Sequence, residues 1–333
     1  MHSLKKAEFW KKLKEDIIQC ELCPHFCTLK NEEIGRCKVR KNLRGELFSL
    51  VYGKPVSMHL DAIEKKPLYH FLPGEKAFSL ATRGCNFACE NCQNWEISQA
   101  TEGIYKVDYC SPEDVIKRAG KAKIIAYTYT EPTIFYEYME DIAELAWKKG
   151  IRNITVTNGF INKEPLKQLC KIIDASNIDL KSINNKFYEK VCKGRLSPVL
   201  EAIKIMHEAK VWIELTNLII PGLNDKEEYI KKLASWVVDN LGRDVPLHFS
   251  AFFPQYKMDN INSTEIETLK KAKKIAEEQG VKFVYLGNIG EENNTYCPVC
   301  KSLLIKRRYF EVLENNIKKG RCKCGEKIPG VWE

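Results

Sequence analysis

The chain has no run of about 18 apolar residues, the length a helix needs to cross a bilayer, among its 333 residues. Its start is rich in lysine (Lys5, Lys6, Lys11, Lys12, Lys14) but lacks the apolar core of a secretory leader. Membrane association and export are therefore not expected, and the protein reads as cytoplasmic. No low-complexity tract and no repeat of fixed period occur, which argues against a solenoid or a fibrous chain. With 44% apolar residues the chain can bury an ample core, in one large domain with appendages or in two ordinary ones.

Cysteine is the residue in excess, at 14 positions. Nothing directs the chain to an oxidising compartment, so metal binding explains that number better than disulfides. The cysteines fall into groups: Cys20, Cys23, Cys27 and Cys37 near the start, Cys85, Cys89 and Cys92 further on, and Cys297, Cys300, Cys322 and Cys324 near the end. Cys110, Cys170 and Cys192 stand apart, and for these a buried structural role is expected. The net charge of +9 is concentrated at the ends, with +4 in residues 1–50 and +3 in residues 289–333. An excess of this size is common on solvated surfaces, although basic metal modules also meet nucleic acid or acidic partners.

The middle group, in Gly-Cys-Asn-Phe-Ala-Cys-Glu-Asn-Cys-Gln-Asn, has C-x3-C-x2-C spacing. A [4Fe-4S] cluster normally takes four thiolates, so three leave one iron open to a small molecule. The natural candidate is S-adenosylmethionine, whose amino and carboxylate groups can chelate that iron. One electron passed to its sulfonium then releases a 5′-deoxyadenosyl radical. Zinc is the competing reading of a cysteine triplet. Structural zinc wants four closed ligands, however, and no fourth cysteine or histidine follows closely after Cys92.

Residues 4–18 place Trp10, Leu13 and Ile17 on one stripe and read as an amphipathic helix leading into the first cysteine group. From residue 76 the pattern becomes alternating strand and helix, the mark of a parallel α/β architecture. Strands are expected at 77–82, 123–129, 151–157, 177–181, 211–220, 247–253 and 281–286. Ser111, Pro112, Glu113 and Asp114 cap a helix that should stop near Gly120; a helix is expected over 133–149, and Thr264 with Glu267 stands in capping-box register before one over 264–279. These units predict a partial (β/α)6-type TIM barrel at 76–288. It would lie between a helix and four-cysteine module at 1–75 and a zinc-ribbon-like module at 289–333, joined through a linker at Gly290, Glu291, Glu292, Asn293 and Asn294. Chemistry in such barrels gathers at the carboxyl ends of the strands, where the triplet, Glu131, Asn158, Asp179 and Lys181 fall, with His248 on the sixth strand.

With these residues in view the chain resembles the radical S-adenosylmethionine superfamily, and within it the relatives of pyruvate formate-lyase activating enzyme. It is most similar to the AmmeMemoRadiSam-system radical SAM enzymes. The resemblance runs through Cys-Glu-Leu-Cys-Pro-His-Phe-Cys from Cys20, Ile-Glu-Lys-Lys-Pro-Leu-Tyr-His-Phe from Ile63, the Cys85 loop, Tyr-Thr-Glu-Pro-Thr from Tyr129 and Tyr-Cys-Pro-Val-Cys from Tyr296. It implies that Cys85, Cys89 and Cys92 ligate the catalytic cluster, and that Tyr129, Thr130 and Glu131 meet the cofactor's amino group where relatives carry Gly-Gly-Glu. It further implies that Thr157, Asn158 and Gly159, then Asp179, Leu180 and Lys181, lie beside the cofactor, with His248 near a cofactor-contacting histidine.

Three departures stand out: Asn91 replaces an aromatic residue that many relatives place beside the adenine, Tyr129 and Thr130 replace paired glycines, and Val156 stands where the activating enzyme has an aspartate.

The resemblance implies a low-potential electron donor of ferredoxin or flavodoxin type. It points to a glycyl residue on a partner protein as substrate, yet the usual ferredoxin-like insert is missing: 17 residues without cysteine separate Cys92 from Cys110. A small molecule, a lipid or an RNA base therefore stays open. The opening C-x2-C-x3-C-x9-C suits zinc or a second iron–sulfur cluster, and spacing alone does not decide. Cys297-x2-Cys300 and Cys322-x-Cys324 resemble a zinc ribbon whose second knuckle is one residue short, and structural zinc is expected there. The competing function is a non-catalytic metal-bearing adaptor that grips RNA or protein through its basic ends.

Overall fold

A computed structural model describes residues 4–290 and 293–333; Glu291 and Glu292 of the expected linker lie outside the described residues. The central sheet has eight strands: β1 (Pro55–Ala62), β2 (Lys76–Thr82), β3 (Ile124–Tyr127), β4 (Arg152–Thr157), β5 (Ala175–Asp179), β6 (Trp212–Ile219), β7 (Leu247–Ala251) and β8 (Val284–Gly287). They are ordered β8-β7-β6-β5-β4-β3-β2-β1. Strands β2 to β8 run parallel, and β1 pairs antiparallel with β2. Their runs of Ile, Val, Leu and Thr are buried on both faces, as parallel strands covered by helices require.

Each parallel pair is joined by a helix: α1 (Pro112–Ala119), α2 (Tyr136–Lys148), α3 (Lys163–Leu169), α4 (Leu196–Glu208), α5 (Glu227–Leu241) and α6 (Ile266–Glu278). Seven parallel strands with six helices make the expected partial barrel. The capping at α1 is as expected: Ser111 accepts the Asp114 N–H and the Asp114 carboxylate accepts the Ser111 N–H. The box expected at Thr264 does not form. Its hydroxyl instead donates to the Ile219 carbonyl and accepts the Phe252 N–H, tying the ends of β6 and β7 together, and α6 begins at Ile266.

One end of the barrel is plugged by the chain between β1 and β2. Ile63, Leu68, Phe71 and Leu72 pack on Ala77, Ile124, Ala126, Ile154 and Ala175; the alanines make room for the larger plug side chains. Thus residues 55–72, expected with the first module, belong to the barrel.

The expected helix at 4–18 is instead a set of short strands, Lys5–Lys6, Trp10–Lys14 and Ile17–Cys20, the last also pairing with Thr28–Leu29. Burial alternates along Ile17–Cys20, with Ile18 and Cys20 inward, and Leu13 is 44% exposed. A register shift between Lys12 and Lys14 absorbs the odd spacing that had mimicked a helical stripe. The hairpin delivers Cys20 to Cys27, whose carbonyl accepts the Cys20 N–H.

The last module is a three-stranded antiparallel sheet of Thr295–Tyr296, Leu303–Arg308 and Glu311–Asn315. It docks on the plug: buried Arg307 lies over the Tyr69 ring and donates to the Tyr69 carbonyl, while Val331 pairs its backbone with His70 and Leu72.

Candidate cluster site at the barrel mouth

Cys85, Cys89 and Cys92 occupy the loop after β2, at the carboxyl end of the sheet. Gly84 permits this path. Its φ is +96°, and a Cβ there would come within 2.6 Å of the Cys37 carbonyl and of the Val39 side chain. The loop is pinned by backbone bonds from Ala88 to Cys192 and from Glu90 to Val191, and by Asn86, whose amide donates to the Phe160 carbonyl. Cys85 accepts the Phe87 N–H, and Cys92 lies 3.2 Å from the Ser98 hydroxyl.

The strand ends bring further polar groups to this loop. Glu131, after β3, is 2% exposed, and its carboxylate accepts the Thr133 N–H and hydroxyl, the Thr157 hydroxyl and the Asn158 N–H, all within 3.0 Å. Burial pushes its pKa up, and those donors oppose the shift. Asn158 in turn reaches Asn86 at 2.8 Å and the Cys85 sulfur at 3.8 Å. Asp179 closes β5 and pairs with Lys181 at 2.8 Å. Burial works against the Lys181 ammonium, but Asp179, Cys89 and Cys192 outweigh it and hold the pKa well above its ordinary value.

Tyr129 adopts φ +63°, a left-handed conformation that costs energy for a bulky residue and recurs at functional sites. Its hydroxyl donates to Asp61, Lys66 sits over its ring, and its carbonyl accepts the Asn94 amide from the cysteine loop. Thr130 is buried and donates to the Thr82 carbonyl. His248 lies apart from this group. It is the second residue of β7, its Nε2 is 2.7 Å from Glu214, and its ring packs on Tyr69 of the plug and Tyr285 of β8. Glu214 also accepts the N–H groups of Tyr69 and His70.

Cys192, which the sequence leaves as a lone cysteine, is the largest influence lowering the Cys89 pKa. It stands alone in the chain, 100 residues beyond Cys92, and only the short helical turn Tyr188–Cys192 brings it there.

At the other end of the molecule Cys297, Cys300, Cys322 and Cys324 place their sulfurs within 4.8 Å of one another, with Cys297–Cys324 at 3.7 Å and Cys300–Cys322 at 3.6 Å. Zn–S bonds of about 2.3 Å in a tetrahedron set sulfurs about 3.8 Å apart, so this quartet fits zinc. Hydrogen bonds from Ser302 pull the Cys300 thiol down to about 6, toward the thiolate a metal needs. Among the described residues no other group of three or more cysteines is drawn so close. The sulfurs of Cys85, Cys89 and Cys92 are likewise not drawn within that distance of one another.

A cysteine loop after the first parallel strand, with carboxylate and amide groups from the next strand ends around it, sits at the mouth of a partial barrel. The chain belongs to the radical SAM superfamily, whose sequence model matches residues 79–236. It is 45% identical over 332 residues to the uncharacterized protein MJ0808 of Methanocaldococcus jannaschii, a match covering 98% of this chain and 99% of that one. It is also similar to the pyruvate formate-lyase 1-activating enzyme of Escherichia coli, at 23% identity over 231 residues, 61% of this chain and 89% of that enzyme. Among solved structures, Streptococcus suis SuiB shares the fold with a TM-score of 0.51 at 13% identity, over 68% of this chain and 52% of that one.

Proposed function

We propose that the protein is an S-adenosylmethionine-cleaving enzyme that generates a radical for hydrogen abstraction, working in a reducing cytoplasm with a low-potential ferredoxin- or flavodoxin-type donor. The observation that carries the reading is the convergence at one barrel mouth of three widely spaced thiols, Cys85, Cys89 and Cys92, with Asn158, Glu131, Asp179 and Lys181 around them. These thiols would hold a [4Fe-4S] cluster. When bound, the cluster and S-adenosylmethionine supply one-electron cleavage of a sulfonium and with it a hydrogen-abstracting radical.

The chain's own part is to bind, orient and shield. Glu131 locks the β3 and β4 loops into one arrangement by accepting four hydrogen bonds, and one of its oxygens, which accepts only the Asn158 N–H, offers a further acceptor to an ammonium group. Asn158, through Asn86 and Cys85, ties that arrangement to the cluster loop. Asp179 and Lys181 present an ion pair beside Cys89 for the polar end or ribose of the cofactor. Tyr129 and Thr130, filling the place of smaller residues, hold the β3 loop through Asp61 and Thr82.

The substrate class supported by the activating-enzyme relatives is a residue of a partner protein, activated by loss of a hydrogen atom. Zinc at Cys297, Cys300, Cys322 and Cys324 would be structural. Anaerobic reduction with S-adenosylmethionine tests the reading. 5′-Deoxyadenosine should form, and Cys89→Ala should abolish it with the ribbon zinc retained.

A further inference from the structure

The opening quartet resembles the Cys85 triplet more closely than it resembles the ribbon. Cys20, Cys23, Cys27 and Cys37 line one pocket with His25 and Arg40. No three of its sulfurs lie within 4.8 Å of one another, which separates it from the ribbon and sets it beside the triplet. Gly35 borders the pocket between two of them; a Cβ there would lie 3.8 Å from both the Cys27 and the Cys37 sulfur.

Arg40 supplies a second and independent sign of an absent anion. It is 1% exposed, and its terminal nitrogens are taken by Glu137 and the Glu8 carbonyl, but its Nε has no partner. An orphaned buried guanidinium N–H is costly unless something accepts it, and a four-thiolate cluster is an anion with sulfur acceptors at that place.

The pocket abuts the loop that carries the triplet. The Cys37 carbonyl and Val39 close on Gly84, His25 Nε2 is 2.7 Å from the Asn86 carbonyl, and Arg83 donates to the Lys38 carbonyl. Gly84 and Asn86 are the two neighbours of Cys85. The first module also carries +4 of the net charge, which suits an acidic donor protein.

We propose that Cys20, Cys23, Cys27 and Cys37 hold a second [4Fe-4S] cluster rather than zinc, and that this cluster passes electrons to the one at Cys85, Cys89 and Cys92. The relay rests on the radical-generating reading above; the second cluster site does not. The redox step balances one electron at a time. A reduced flavin or iron–sulfur donor protein is oxidised by one electron, the quartet cluster takes it and returns to its oxidised state on giving it up, and one such electron is consumed per sulfonium C–S bond cleaved.

The test uses the full chain, reconstituted anaerobically. About eight irons, eight sulfides and one zinc per chain are expected, with two reduced-cluster EPR signals of which only one changes when S-adenosylmethionine is added. The triple variant Cys85→Ala, Cys89→Ala, Cys92→Ala should keep about four irons and the insensitive signal. Four irons with two zincs in the wild type, or an iron-free triple variant, would overturn the site. For the relay, the pair Cys23→Ala, Cys27→Ala should still form 5′-deoxyadenosine with titanium(III) citrate but lose roughly tenfold or more of the rate with flavodoxin, its reductase and NADPH. Equal loss with both reductants, or none with either, overturns the relay. Should that pair not fold, reduced flavodoxin must still reduce the quartet cluster in the triple variant, and a cluster left oxidised overturns the relay. Eight irons with no 5′-deoxyadenosine under any reductant would sink the radical reading and the relay while upholding the site.

Discussion

At the residue scale, certain groups have surroundings that leave them one role. Gly84 is such a residue: its positive φ and the Cys37 carbonyl together forbid a side chain. Gly84→Ala should therefore displace the cysteine loop and lower iron occupancy at the triplet in metal analysis, with ribbon zinc unchanged. His70 gives a prediction in pH. Its ring is fully buried, its Nδ1 is 2.7 Å from the Pro329 carbonyl and its Nε2 is 2.6 Å from the Tyr285 hydroxyl. Burial pushes its pKa down from 6.5 to about 4. The folded state thus stays neutral in a range where the unfolded chain takes up a proton, so stability falls as pH drops from 6.5 toward 4 and is regained on the way up. Denaturant midpoints across that range should show this slope, and His70→Gln should flatten it. The placement of Cys85, Cys89 and Cys92 on one loop and of Glu131 and Asp179 at strand ends was legible in advance, because spacing and the strand pattern fix where those residues fall. The partnership of Cys192 with Cys89 was not, since it depends on a turn 100 residues away in the chain.

At the element scale, the strands and helices of the barrel follow from local signals that tertiary packing reinforces. Ser111 is a clear case, with hydroxyl, proline and two acidic residues in cap register and both reciprocal hydrogen bonds formed. Ser111→Ala should cost about 1 kcal/mol in chemical denaturation. Two departures at this scale have a common physical origin. Trp10, Leu13 and Ile17 keep helical spacing, but the cysteine pocket needs Cys20 on a hairpin, and a register shift turns the stripe into alternating burial. Thr264 has the right spacing for a cap, but the carbonyl of Ile219 and the N–H of Phe252 claim its hydroxyl. In both places long-range partners override a local pattern, and one sequence read along its length does not contain them.

At the scale of the whole molecule, three cysteine modules serve one barrel from opposite ends. The first lies against the cluster loop at the mouth; the last braces the plug through Arg307, Pro329 and Val331. Zinc withdrawal from the ribbon should therefore loosen the base of the barrel as well as the module itself. Limited proteolysis of the full chain with a zinc chelator should cut in residues 289–333 and expose sites in 63–72, whereas a zinc-depleted chain with an unchanged digestion pattern would refute the coupling. Radical generation from S-adenosylmethionine at the mouth is the proposal on which the rest depends. Its most direct measurement is 5′-deoxyadenosine released by the anaerobically reconstituted, reduced protein. Product above background should appear and should vanish in Cys89→Ala; an intact, reducible cluster that yields none would refute radical generation.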